Sequence, residues 1–328
     1  MTLLVDHVRE QQTMVPPATL RPDTLPTDRL LVSGKPVPAL RAELRRIPNL
    51  RNVGNVLSVW AQSFGLIALA CWIGNPVMWV ATFVLMGRAF ALYGILGHEA
   101  AHRLLFSKRW ANDFVGRWGL SYPGFVPFDG YRRSHFAHHR DEMGPEEPDV
   151  NLYAHYPITR DSLGRKLRRD AFGISGWKNL KGLFRGLRYE RTRGVALRIL
   201  GTQVVILAGF TAVGRPELYP LLWLAPWMTG WRVINRLRAI AEHGGMIRSK
   251  DRRETTHHVR QTWPARFWIV PFNTGWHLAH HVDMGVPFRH LPRFHDELVA
   301  AGWIVPDLEY PDYRTLWRAL SAREGSEA

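Results

Sequence analysis

From Val53 to Ile73 the chain runs 21 residues without a charge, long enough as a helix to cross a hydrocarbon core of about 30 Å. Gly74-Asn75-Pro76 breaks the run, and Val77 to Gly97 is apolar again apart from Arg88. Two shorter apolar stretches follow much later, separated only by Gly214-Arg215-Pro216-Glu217. The pattern predicts an all-α integral membrane protein with four transmembrane helices, at about 53–73, 77–97, 197–213 and 218–234, paired as two hairpins. Arg88 inside the second span reads equally as a functional contact or as an arginine snorkelling to the interface. Between the hairpins, Trp177, Leu180, Leu183, Phe184 and Leu187 fall at helical spacing among Lys178, Lys181, Arg185 and Arg188, the pattern of a basic interfacial helix. Residues 1–40 carry six prolines and no period, so they are expected to form an irregular, mobile leader without a cleavable signal. Residues 41–328 are expected to form one domain.

Charge gives the spans a direction. The formal net charge is +15 and the pI about 10.6, which would fit either nucleic acid or anionic headgroups. Fourteen tryptophans favour the membrane interface, so no nucleic-acid partner is expected. Forty of the 43 Lys and Arg residues lie before the first span, between the hairpins, or from Arg232 onward. The positive-inside rule then puts both termini in the cytoplasm, with a helical cap on that face. Cys71 is the only cysteine, which excludes an intramolecular disulfide and any thiolate metal cage.

The cap is where chemistry is expected. His135, His138 and His139 stand at i, i+3 and i+4, so a helix presents all three on one face. His277, His280 and His281 repeat the spacing, and His98 with His102 adds an i, i+4 pair. Imidazoles have little reason to crowd one another except around a metal. His243, just past the fourth span, is the ninth candidate ligand. Nine imidazoles exceed what one ion can hold, so two ions are implied. A nitrogen-rich site without thiolate suits iron with open positions for dioxygen, although imidazole alone would accept zinc, copper or nickel. Glu99 and Glu242 are candidates to orient imidazoles, with an ion pair from Glu242 to Arg238 as the equal alternative. In the acidic segment from Asp141 to Asp149, Asp149 is the best single candidate.

His-Glu-Ala-Ala-His at 98–102, His-Phe-Ala-His-His at 135–139 and His-Leu-Ala-His-His at 277–281, in this order around two hairpins, resemble the three histidine boxes of the membrane fatty acid desaturase and hydroxylase superfamily. The resemblance covers roughly residues 50 to 290. It implies a non-haem di-iron centre that activates dioxygen, held by His98, His102, His135, His138, His139, His277, His280 and His281, with His243 as the later histidine. Relatives of the acyl-CoA type have an asparagine four residues before that histidine, where this chain has Ala239, so their substrate is not carried over. The reaction implied first is desaturation of a lipid acyl chain. Hydroxylation, ketolation and oxidative decarboxylation are the alternatives. No His-Pro-Gly-Gly haem-binding pattern occurs, so a separate ferredoxin-like or cytochrome donor is expected to dock on the basic face.

Two other readings start from single motifs. His98-Glu99-Ala-Ala-His102 also fits a zinc metalloprotease, for which Asp129 could supply a distal ligand, but this leaves both His-x-x-His-His clusters without a task. Glu99-x-x-His102 and Glu254-x-x-His257 match units of a carboxylate di-iron bundle, but Glu254 sits in a charged, loop-like run.

Overall fold

Gly74 and Asn75 fix where the first two long helices meet. Gly74 closes one in the left-handed conformation (φ 71°) that glycine adopts without a Cβ penalty, and Asn75 opens the next by accepting a hydrogen bond from the Met78 N–H at 2.8 Å. Pro76 occupies the first helical position, where its missing N–H costs nothing. In the computed structural model, which describes residues 13–323, the regular elements of the rest of the chain are helical as well. Seven helices position the functional residues: α1 (Asn49–Ile73), α2 (Pro76–Ala101), α3 (Phe128–Arg140), α4 (Ile174–Gly186), α5 (Glu190–Ala212), α6 (Gly230–His243) and α7 (His277–Val282). Among the described residues there is no β-strand, only the isolated bridges Leu30–Pro36 and Val259–Tyr310. Residues 1–12, where the expected leader begins, and both termini, expected on the cytoplasmic side, lie outside the described residues.

The chain forms two compact units, each built from separated segments. One comprises residues 48–132 and 166–235 and holds the apolar helices. Here α1, α2 and α5 are long and apolar enough to cross a membrane. At 25 residues and 1.5 Å per residue, α1 reaches about 37 Å, more than a hydrocarbon core. Of the most apolar stretch of each helix, 28% is buried in α1 and in α5 but 61% in α2, so α2 is the internal helix and the other two expose apolar faces. An aromatic cluster of Trp60, Phe64, Tyr93, Phe210 and Trp223 ties α1, α2 and α5 to the segment that follows α5.

That following segment differs from the expected fourth span. Instead of one helix over 218–234 it has a π-helical turn at Tyr219–Leu224, a four-residue helix at Ala225–Met228 and a break at Thr229 (φ −119°, ψ −83°) before α6 begins. Pro220 and Pro226 each remove a helical hydrogen bond. Gly230, the first residue of α6, meets Gly87 of α2 so closely that a Cβ on Gly87 would lie 3.2 Å from the Gly230 backbone.

The other unit comprises residues 1–47, 133–165 and 236–328. In its N-terminal segment the described residues 13–37 are irregular apart from a 3-10 turn at Ala18–Leu20, and a short helix follows at Pro38–Leu44. Irregular backbone does not leave it unpacked: Met14, Leu20 and Leu30 are buried, and Arg29 pairs with Glu297 at 2.5 Å.

Candidate metal centre

Seven of the nine candidate histidines belong to the second of these units. On α3 the expected spacing holds, and His135, His138 and His139 share one buried face. The short helix α7 presents His277, His280 and His281, all buried, and α6 ends on His243. These side chains gather in two groups. The nitrogens of His135, His139 and His280 lie within 4.8 Å of one another, and so do those of His138, His243 and His281. His277 adjoins the second group, with its Nε2 at 3.1 Å from His243 Nε2 and 3.0 Å from His281 Nε2.

The outer nitrogens decide what these inner contacts mean. His243 Nδ1 lies 2.8 Å from the Thr255 carbonyl oxygen and His281 Nδ1 lies 2.5 Å from the Glu142 carboxylate. Both partners can only accept, so both Nδ1 atoms carry the proton, and in the neutral ring each Nε2 is left as a bare lone pair. Two such lone pairs face His277 Nε2, which has at most one proton to give. A cation among them removes the repulsion, so the donor set fits a metal ion. Burial supports the same state. It holds His243, His277 and His281 well below the usual histidine pKa, helped by the neighbouring imidazoles, and a neutral ring is the form that binds metal.

Two carboxylates orient these rings. Glu142 is buried and accepts from His281, from Thr255 Oγ1 at 2.5 Å and from Arg252 at 2.8 Å. Burial raises its pKa, and Arg252, Thr255 and His138 offset only part of that rise. Its oxygen also lies within 4.8 Å of His139 and His281 nitrogens, so it could serve as a ligand. Glu147 accepts from His138 Nδ1 and from the Tyr153 hydroxyl. Burial alone would lower the His138 pKa, but the hydrogen bond and charge of Glu147, with Glu142 and Asp149 beyond, raise it overall.

Among the predicted carboxylates, Glu242 makes the ion pair with Arg238 at 2.6 Å, and its carboxylate lies 3.7 Å from His277 Nδ1, beyond hydrogen-bond distance. Asp149 is half-buried, burial raises its pKa, and it makes no side-chain hydrogen bond to a histidine among the described residues. Glu142 and Glu147, from the same acidic segment, make those bonds instead. One sequence signal could have found Glu142: it continues the α3 face four residues after His138. Glu147 follows a turn through Met143 (φ 59°) that no periodicity predicts. His257 props the end of α6 by donating from Nε2 to the Gly244 carbonyl at 2.8 Å.

His98 and Glu99, on the last turn of α2, and His102, which caps it, belong to the other unit, and all three are buried. The His98 and His102 rings stand edge to face at 4.7 Å. The helix stops at Arg103, which takes a left-handed turn (φ 61°), and Arg132 donates to the last carbonyls, those of Ala100 and Ala101. Arg132 is itself fixed by Asp113 at 2.6 Å. Asp129 is held by Arg117 in a two-pronged ion pair at 2.8 and 2.9 Å, which occupies the proposed distal ligand of a zinc protease. Glu254 is paired to Arg21, which removes it from a carboxylate di-iron set.

Residues 40–315 match the family described as Fatty acid desaturase. An sn-1 oleoyl-lipid 12-desaturase of Anabaena variabilis is 28% identical over 180 residues, 49% of this chain and 49% of that protein. A dihydrorhizobitoxine desaturase of Bradyrhizobium elkanii is 26% identical over 212 residues, 59% of this chain and 60% of its own length. An sn-1 oleoyl-lipid 12-desaturase of Picosynechococcus is 23% identical over 305 residues, covering 81% of this chain and 84% of the relative. The first two matches thus span about half to three fifths of the relative concerned.

Proposed function

Because the chain belongs to the fatty acid desaturase family, we propose that it introduces a carbon–carbon double bond into a lipid acyl chain, using two non-haem iron ions. The observation that carries this reading is the pair of imidazole groups, His135/His139/His280 and His138/His243/His281, each gathered within 4.8 Å. His277 joins the second group, and His98 and His102 are assigned as ligands from α2. Bound iron supplies the redox chemistry that reduces dioxygen while hydrogen leaves the substrate.

The chain's own residues hold that centre in one protonation state. Glu147 and Glu142 accept from His138 and His281, which fixes the ring tautomers and turns Nε2 inward. Tyr153 anchors Glu147, and Arg252 with Thr255 anchors Glu142. Glu242 and Glu99 are assigned the same orienting task for His277 and the α2 pair, and Asp149 adds negative charge near His138. The fourth span lies in the broken segment before α6, and the metal ligands and both termini face the cytoplasm. A separate ferredoxin-like or cytochrome protein delivers electrons there, drawn by the excess of Lys and Arg.

An acyl-lipid substrate is supported by the names of the two oleoyl-lipid desaturases among the relatives. Expression in a host with a simple lipid profile, followed by mass spectrometry of total lipids, tests the reaction. New double bonds are expected; a hydroxylated product without a new double bond would overturn desaturation.

A further inference from the structure

A groove of about 1300 Å³ runs along the outer faces of α1 and α5. Its walls are apolar and aromatic, with Trp60, Phe64 and Ile67 from α1 and Val205, Ile206 and Phe210 from α5. From Arg198 to Val213 it extends roughly 22 Å along α5, longer than the roughly 15 Å of one bilayer leaflet. The ends differ in charge. Arg215, at one end, is neutralised by Glu217. Arg198, at the other, is exposed and forms no ion pair among the described residues.

The same unit carries a second cationic surface on α4, outside the groove's lining and on another face of α5. Gly186, the last residue of α4, packs on Ala196 of α5, two residues before Arg198. Along α4, Lys178, Lys181 and Arg185 also lack ion pairs among the described residues, and no acidic residue occurs from Ala171 to Tyr189. The same helix exposes Ile174, Trp177 and Phe184, the mixture that suits a headgroup layer.

We infer that this groove holds one anionic phospholipid, its phosphate at Arg198 and its acyl chains between α1 and α5. The site is built wholly from residues 48–132 and 166–235 and uses none of the metal ligands, so it stands apart from the proposed reaction. Three substitutions test it. Gly201→Phe fills the groove from a position where an added Cβ meets nothing within 4 Å, so the helix tolerates it. Arg198→Gln removes the cation and Arg198→Lys keeps it.

Purified protein would be equilibrated in nanodiscs of equal phosphatidylglycerol and phosphatidylcholine, released, and its retained lipid counted by native mass spectrometry. The wild type should keep one phosphatidylglycerol in preference. Arg198→Gln should lose that preference by about five-fold, Arg198→Lys should retain it, and Gly201→Phe should retain no lipid. Equal retention of both lipids by the wild type, or unchanged preference in Arg198→Gln, overturns the site. A dimer that Gly201→Phe dissociates also overturns it, because a second copy then fills the groove.

Discussion

The two units use burial in opposite ways. In the apolar unit, α1 and α5 leave hydrophobic surface such as Leu57, Trp72 and Val205 exposed, and the polar residues buried along the long helices are single neutral groups such as Asn52, Ser63, Thr82 and Gln203, with His98, Glu99 and His102 gathered at the end of α2. The histidine-bearing unit buries seven candidate ligands with Glu142 and Glu147, and each ring whose outer nitrogen is engaged turns the other inward. The first pattern is stable only where something apolar covers it. The second is stable only where charge fills it, because buried lone pairs facing one another gain nothing from packing.

The largest expected effect breaks the polar half. His138→Ala should lower turnover by more than about 100-fold and reduce bound metal, measured by activity and elemental analysis on the same preparation. Glu147→Gln and Glu142→Gln should each cost about 10–100-fold in metal affinity or activity, because each frees the ring it orients. Unchanged metal content and activity in both would show that these carboxylates orient nothing.

A smaller effect sharpens the contrast inside the apolar half. Gly87→Leu drives a side chain into the Gly230 backbone and should destabilise by about 1–3 kcal/mol, while Gly65→Leu, where a Cβ meets nothing within 4 Å, should change stability by about 0.5 kcal/mol or less. Thermal unfolding in detergent compares the two.

The last effect concerns pH and is spread over several pH units. Burial pushes the His258 pKa down to about 3, from 6.5 when exposed. The folded state therefore binds fewer protons than the unfolded state between those values. Stability is present above pH 6.5 and is lost as pH falls toward 3, by about 1.4 kcal/mol per pH unit for this one group. His258→Gln should flatten that slope, which acid unfolding followed by fluorescence would measure.

Periodicity explains how much of this was legible in the chain. The i, i+3, i+4 spacing located the α3 and α7 histidines because a helix converts spacing directly into a shared face. Uncharged length located α1, α2 and α5 for the same reason. Glu147 was not legible, since its approach to His138 depends on a left-handed Met143 and on Tyr153, and Asp149 looked equivalent in the sequence. The break before α6 was signalled by Pro220, Pro226 and Gly230, but hydropathy alone averages over such residues. Nor does any local pattern show that 1–47, 133–165 and 236–328 form one unit, because that grouping comes from contacts distant in sequence.

The central claim is that two groups of buried imidazoles hold two iron ions. Elemental analysis of purified, catalytically active protein tests it most directly. Two irons per chain are predicted, falling in His138→Ala; one zinc per chain with no iron, in protein that is still active, would contradict it.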